Sequence, residues 1–187
     1  MVRYPNIKRE LIMESGRRKK RRGSNMSNSI CIRKIEDEFE ECNDVIRRSF
    51  ITVAEEFNLT RENAPKNPAF LGPESLVAMR DKGVSMYGAY RDDICVGFVA
   101  VEKAKDDVFY MERLAVLPEY RHNGYGRELI DFVMDYVGNN GGKKVSIGII
   151  NENRRLKDWY ISCGFAETGT KKFEHLPFEV CFMERTV

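Results

Sequence analysis

One segment limits what this chain can become more than any other: Met111-Glu-Arg-Leu-Ala-Val-Leu-Pro-Glu-Tyr-Arg-His-Asn-Gly-Tyr-Gly-Arg-Glu-Leu-Ile130. A largely apolar strand is closed by Pro118, and a short turn carries Gly124 and Gly126. Leu129, Ile130, Val133, Met134 and Val137 then recur at helical spacing. A strand that runs through a glycine turn straight into an amphipathic helix belongs to an α/β domain. The glycines allow a tight backbone and close approach by a ligand. The free amides and positive dipole end of the helix form an anion site, to which Arg121 and Arg127 add charge. Two rival nucleotide motifs are excluded, because no third glycine completes GxGxxG and no GK[ST] makes a P-loop.

The rest of the chain extends this pattern. Its 187 residues suit one domain. Residues 30–35 read as a first strand, and residues 36–58 as a helix with Val45, Ile46, Phe50, Val53, Ala54 and Phe57 on one face. Pro65, Pro68, Gly72 and Pro73 make 59–73 a loop, and a short helix over 74–82 ends at Gly83. Strands are expected at 84–91 and 94–103, joined by a tight turn at Asp92-Asp93, and at 108–117. After the helix over 124–138, a strand at 143–150, a helix at 153–163 and strands at 165–174 and 179–186 complete the chain. The expected fold is a single mixed, mostly antiparallel sheet of six to seven strands flanked by about four helices.

Composition removes several classes of function. No run of eighteen apolar residues offers a transmembrane helix, and the N-terminus lacks the apolar core of a secretory signal. Cys31, Cys42, Cys95, Cys163 and Cys181 are odd in number and form no CxxC, so neither a disulfide framework nor a zinc site is expected. A reducing cytoplasm is the expected location. His122 and His175 are the only histidines, and no metal is expected.

The net charge of +2 conceals a split. Residues 1–25 hold nine basic residues and two acids, a net +7, whereas 26–187 hold 22 basic and 27 acidic residues, a net −5. The block Arg17–Arg22 has no interleaved aromatics and no amphipathic period. It therefore reads as a solvated basic tail, and neither nucleic acid nor a membrane is an expected partner. Codons for Arg21-Arg22-Gly23 can resemble a bacterial ribosome-binding site, which makes Met26 the expected start and 1–25 a translated leader. A purine run before the Met26 codon is the sign to look for in the DNA. The remaining 26–187 form the expected domain.

Two motifs in that domain resemble the GNAT acetyltransferase superfamily. Arg121-His-Asn-Gly124-Tyr-Gly126 is similar to its R/Q-x-x-G-x-G/A loop, and Asn153 seven residues before Tyr160, with Gly164-Phe165 beyond, is similar to its second signature. Leu156 stands where many members carry Ala. The resemblance covers about residues 30–187. It implies a GNAT-like fold and an N-acetyltransferase that moves an acetyl group from acetyl-CoA, as co-substrate, to a primary amine in a ternary complex. Implied cofactor contacts are the backbone of Leu114, Ala115 and Val116 along the pantetheine, the loop of Arg121, His122, Asn123, Gly124, Tyr125, Gly126 and Arg127 around the pyrophosphate, and Asn153 near the pantetheine.

Tyr160 is then the candidate general acid for the departing thiolate, since a phenol near ~10 can protonate a thiolate whose acid lies near ~8.5. Glu112 is the candidate base; plain alternation puts it on one face with Tyr110, Leu114 and Val116, and a water relay is the alternative. The acceptor is a small amine or a peptide N-terminus, chosen by residues 58–78 and the final strands. The net −5 suits a cationic amine. The apolar stretch 178–183 fits either a homodimer contact or a central strand. A second class of function stays open: a non-catalytic module that senses acyl-CoA or binds nucleic acid.

Overall fold

Asp92 and Asp93 both adopt positive φ, +49° and +64°, the geometry of a two-residue turn whose twist matches the strands it joins. That turn folds β2 (Ser85–Arg91) onto β3 (Ile94–Lys105), and β4 (Val108–Val116) follows. The computed structural model describes residues 30–187 apart from Glu38 and Asp106. The basic segment 1–25 and the expected start at Met26 lie outside the described residues.

A short β1 (Cys31–Lys34) precedes α1 (Phe39–Glu56), and α2 (Glu74–Asp81) leads into β2. Beyond β4 come α3 (Tyr125–Asn139), β5 (Lys144–Ile150), α4 (Arg154–Ser162), β6 (Ala166–Lys172) and β7 (Glu179–Thr186). The seven strands form one sheet in the order β1-β2-β3-β4-β5-β7-β6. Every pairing is antiparallel except β4 with β5, so the mixed, mostly antiparallel sheet with four helices expected from the sequence is what forms. β7 is paired on both sides, so the apolar stretch over 178–183 feeds an interior strand. The edge falls instead to β6, exposed throughout and ending in Lys171 and Lys172, charges that discourage edge-to-edge pairing.

Each sheet face has its own core. On one, α3 sets Leu129, Ile130, Val133 and Val137, all fully buried, against Val99, Val101, Phe109 and Met111. Burying each such side chain contributes roughly 2 kcal/mol, and Leu129→Ala would cost about 2–5 kcal/mol. On the other, α1 and α2 bring Cys42, Val45, Ile46 and Leu76 against Phe98, Ala100 and Ala115. α1 is shorter than its apolar pattern. Asn58 at φ +51° turns the chain out, and the Leu59 amide reaches back to the Ala54 carbonyl at 2.8 Å, closing the helix. Among the described residues no helix is long and apolar enough to cross a membrane.

Candidate active site

β4 and β5 are paired only at their beginnings, Val108–Tyr110 against Lys144–Ser146. Past Tyr110 the strands diverge and leave a cavity of about 1090 Å³ in the middle of the sheet. Leu114, Ala115 and Val116 line it from β4, Asn153 and Tyr160 from the α4 region, and Arg121, His122, Gly124, Tyr125, Gly126 and Arg127 from the glycine loop. Asn123 does not line it; its side-chain amide donates to the carbonyls of Tyr120 and Arg121 and so shapes the loop.

The backbone of the loop has the geometry that suits an anion. His122 and Gly124 take positive φ, +64° and +89°, and Gly124 caps α3 with no side chain over its first turn. Among the described residues, the amides of Asn123, Gly124 and Gly126 donate to no carbonyl. A Cβ at Gly124 would meet nothing within 4 Å, whereas one at Gly126 would stand 3.1 Å from the Trp159 ring. Gly124 is thus required by backbone conformation, and Gly126 by the seating of α3 on α4. Arg121 turns inward: Nε donates to the Val116 carbonyl at 3.2 Å, and Nη2 to the Ser49 carbonyl at 2.9 Å and Thr52 Oγ1 at 3.1 Å. Its guanidinium ties the loop to α1. Arg127 likewise reaches the Ser162 carbonyl at the end of α4, at 3.1 Å.

Asn153 is the N-cap of α4, its Oδ1 accepting from the Leu156 amide at 3.0 Å. Tyr160 is 6% exposed and packs edge-on against Trp159 and Phe165. Its hydroxyl has no hydrogen-bond partner among the described residues, and burial pushes its pKa well above the ordinary phenol value.

Glu112 lines the same cavity, but not on the face that simple alternation gives it. Arg113 has φ +52°, and the register of β4 on β3 slips there: Ala100 pairs with Glu112, while Phe98 pairs with Ala115. This bulge inserts one extra residue and inverts the alternation. Met111 therefore faces α3 together with Leu114 and Val116, while Glu112 shares its face with Tyr110 and Ala115. Grouping Glu112 with Leu114 and Val116 was wrong for this reason; its kinship with Tyr110 holds. Burial, and then the charge and hydrogen bonding of Glu102, push the Glu112 carboxyl above its ordinary value.

Other lining residues carry no motif. Thr52, Val53 and Glu56 of α1 fall at helical spacing, Lys66, Asn67 and Pro68 belong to the loop before α2, and Phe178, Val180 and Phe182 come from around β7. Gly148 of β5 lines the cavity as well, and a glycine among Val145, Ile147, Ile149 and Ile150 is the one sequence sign these residues offer.

A model of the acetyltransferase (GNAT) family matches residues 39–165, well over half the chain, and the chain belongs to that family. A comparison with curated proteins finds no match. Among solved structures, the ribosomal-protein-S18-alanine N-acetyltransferase of Escherichia coli superposes with a TM-score of 0.67 at 14% identity, covering 84% of this chain and 94% of that one. The PaiA N-acetyltransferase of Thermoplasma acidophilum, solved with coenzyme A, gives 0.65 at 21% identity over 85% and 99%. A GNAT family acetyltransferase from Elizabethkingia anophelis with acetyl-CoA bound gives 0.62 at 14% identity over 85% and 99%. These likenesses concern the fold.

Proposed function

We propose that the chain is an N-acetyltransferase that moves an acetyl group from acetyl-CoA directly to a primary amine held in the same cavity. The observation that carries this reading is the continuity of the cavity. It joins the free amides of the glycine loop, the unpaired side of β4, and the side chains of Tyr160 and Glu112. The loop amides suit a diphosphate at a helix N-terminus. The side of β4 that β5 leaves open at Leu114–Val116, where Arg121 holds the Val116 carbonyl, suits an arm with alternating amide groups, which adds to the sheet as a strand would.

Glu112 takes a proton from the ammonium, and the neutral nitrogen attacks the thioester carbonyl. Backbone N–H groups at the bulge meet the developing oxyanion, each well-aimed donor being worth about 3 kcal/mol. Collapse breaks the carbon–sulfur bond, Tyr160 gives its proton to the departing thiolate, and the excess proton left on the acylated nitrogen passes to the phenolate and restores the phenol. Tyr160 is protonated at neutral pH, and because burial makes it a weaker acid than an ordinary phenol, its proton moves only as charge develops on the sulfur. Asn153 holds the first turn of α4 and with it the position of Tyr160.

Calorimetric titration of acetyl-CoA into the protein, with Gly124→Glu as the blocked control, tests the donor site. Saturable binding that the control loses is the expected result, followed by amine-dependent release of free thiol. Absence of binding to the unaltered protein overturns the reading.

A further inference from the structure

The cavity has two chemically different ends. One is the glycine loop with its cations and free amides. The other is the part of the sheet that α1, lying over β3 and β4, leaves uncovered. Strand register puts Tyr110, Glu112, Gly148, Ile150, Val180 and Phe182 on a single face there: Gly148 pairs with Phe182, Ile150 with Val180, and Tyr110 with the neighbouring Ser146.

Gly148 sits mid-strand yet is exposed, between buried Ile147 and Ile149 that point to the α3 core. A Cβ at this position would stand 3.2 Å from Val180 Cγ1 and 3.8 Å from Phe182 Cε1. Glycine inside a strand gives up packing and ordering, and it marks a place where another group comes close. Tyr110, 44% exposed, borders the open floor from β4, and the partly exposed Phe182 borders it from β7. The floor is largely apolar, with Ser146 beside Gly148 as its polar member, and Glu112 is the acid that shares this face within the cavity.

The charges of the cavity wall argue further. Away from the glycine loop and its two arginines, Lys66, Arg113 and Arg155 line it against two acids, Glu56 and Glu112. Glu56 is already paired with Arg155 at 3.3 Å. A substrate with several ammonium groups would bring its extra charges against a net positive wall, whatever the net charge of the whole domain.

We propose that the acceptor is a monoamine on a flat apolar body, an arylalkylamine or a comparable alkylamine. Its body lies on Gly148 between Tyr110 and Phe182, and its nitrogen reaches Glu112. Gly148 is the residue that sets this specificity. The assignment rests on the acetyl-transfer reading above and names the substrate class for the same site.

The test is a thiol-release assay with acetyl-CoA and four amines: phenethylamine, hexylamine, spermidine and kanamycin. It is paired with calorimetry of phenethylamine into the protein saturated with CoA. Phenethylamine is expected to give a kcat/KM about 100-fold or more above spermidine and kanamycin, and to bind the CoA-loaded protein. Gly148→Ala and Phe182→Ala are each expected to raise its KM by about tenfold, the scale on which apolar pockets discriminate. The Kd for acetyl-CoA stays unchanged in both, which also reports that they fold. Preference for spermidine or kanamycin overturns the proposal, as does an unchanged KM in both variants. Tight acetyl-CoA binding with no phenethylamine binding overturns it too and leaves the donor site standing. Loss of acetyl-CoA binding by the unaltered protein instead removes the reading beneath it.

Discussion

Glu102 and Glu112 stand diagonally across the β3–β4 pair on one face of the sheet, Glu102 opposite Tyr110 and Glu112 opposite Ala100. Burial is the larger cause of the raised Glu112 carboxyl, and two carboxyls so placed add to it because they resist sharing two negative charges. If Glu112 is the base, kcat/KM falls on acidification at a pH above the ordinary carboxylate range. Glu102→Gln removes the repelling charge, lowers the Glu112 pKa, and moves this acid limb to lower pH. A pH profile of both proteins checks it; an unmoved limb separates Glu112 from the titration. The same shift bears on stability. With the folded pKa raised, Glu112 lowers stability as pH climbs from its unfolded toward its folded value. Glu112→Gln is therefore expected to cut turnover by about 10²–10⁴ while raising the melting temperature more at pH 8 than at pH 5.

Tyr160→Phe keeps the ring against Trp159 and Phe165 and removes only the proton donor. The expected result is a fall in kcat of about 10²–10⁴, with the acetyl-CoA Kd unchanged by calorimetry. Any basic limb of the wild-type profile below the ordinary phenol range belongs to another group, because burial holds Tyr160 above it. An unchanged kcat removes Tyr160 from the proton path.

Arg121 joins the end of β4, the glycine loop and α1 through three hydrogen bonds. Lysine preserves the charge but cannot span those acceptors in one plane. Arg121→Lys is expected to destabilise the fold by about 1.5–3 kcal/mol, read from urea unfolding. A loss near zero shows that the fork does not hold the loop to the helix.

Ser49 is 4% exposed, and its Oγ is buried with no hydrogen-bond partner among the described residues. A buried hydroxyl left unmade costs about 1–3 kcal/mol. Ser49→Ala, which leaves the carbonyl used by Arg121 intact, is expected to raise stability by about 1 kcal/mol in the ligand-free protein. A lower melting temperature refutes that.

Element order and sheet class were legible because apolar periodicity, Pro118, Gly164 and the Asp92-Asp93 turn all act locally. The glycine loop was legible for the same reason, since Gly124 must carry a positive φ. The face of Glu112 was not. It depends on one residue, Arg113, entering the left-handed region to absorb a register slip against β3, and nothing in the local pattern marks an arginine for that conformation. Asn153 was singled out by motif, yet its place at the head of α4 makes it first a cap for the Leu156 amide. The inward turn of Arg121 escaped as well, because its acceptors on α1 lie about seventy residues away in the chain. Net charge and the cavity wall differ in sign: the domain is acidic from Met26 onward, while cations outnumber acids along the wall of its cavity.

The short contact between β4 and β5 has a mechanical consequence. Four strands on one side and three on the other are joined across the middle of the sheet by three residue pairs, so the molecule is two half-sheets sharing a narrow seam. A ligand lying along the open side of β4 fills the place of a missing strand and braces both halves. Such a ligand stiffens the protein as well as supplying its reagent, and the gain grows with the logarithm of its concentration over Kd. Resistance to heat and proteolysis should then report the cell's supply of that ligand.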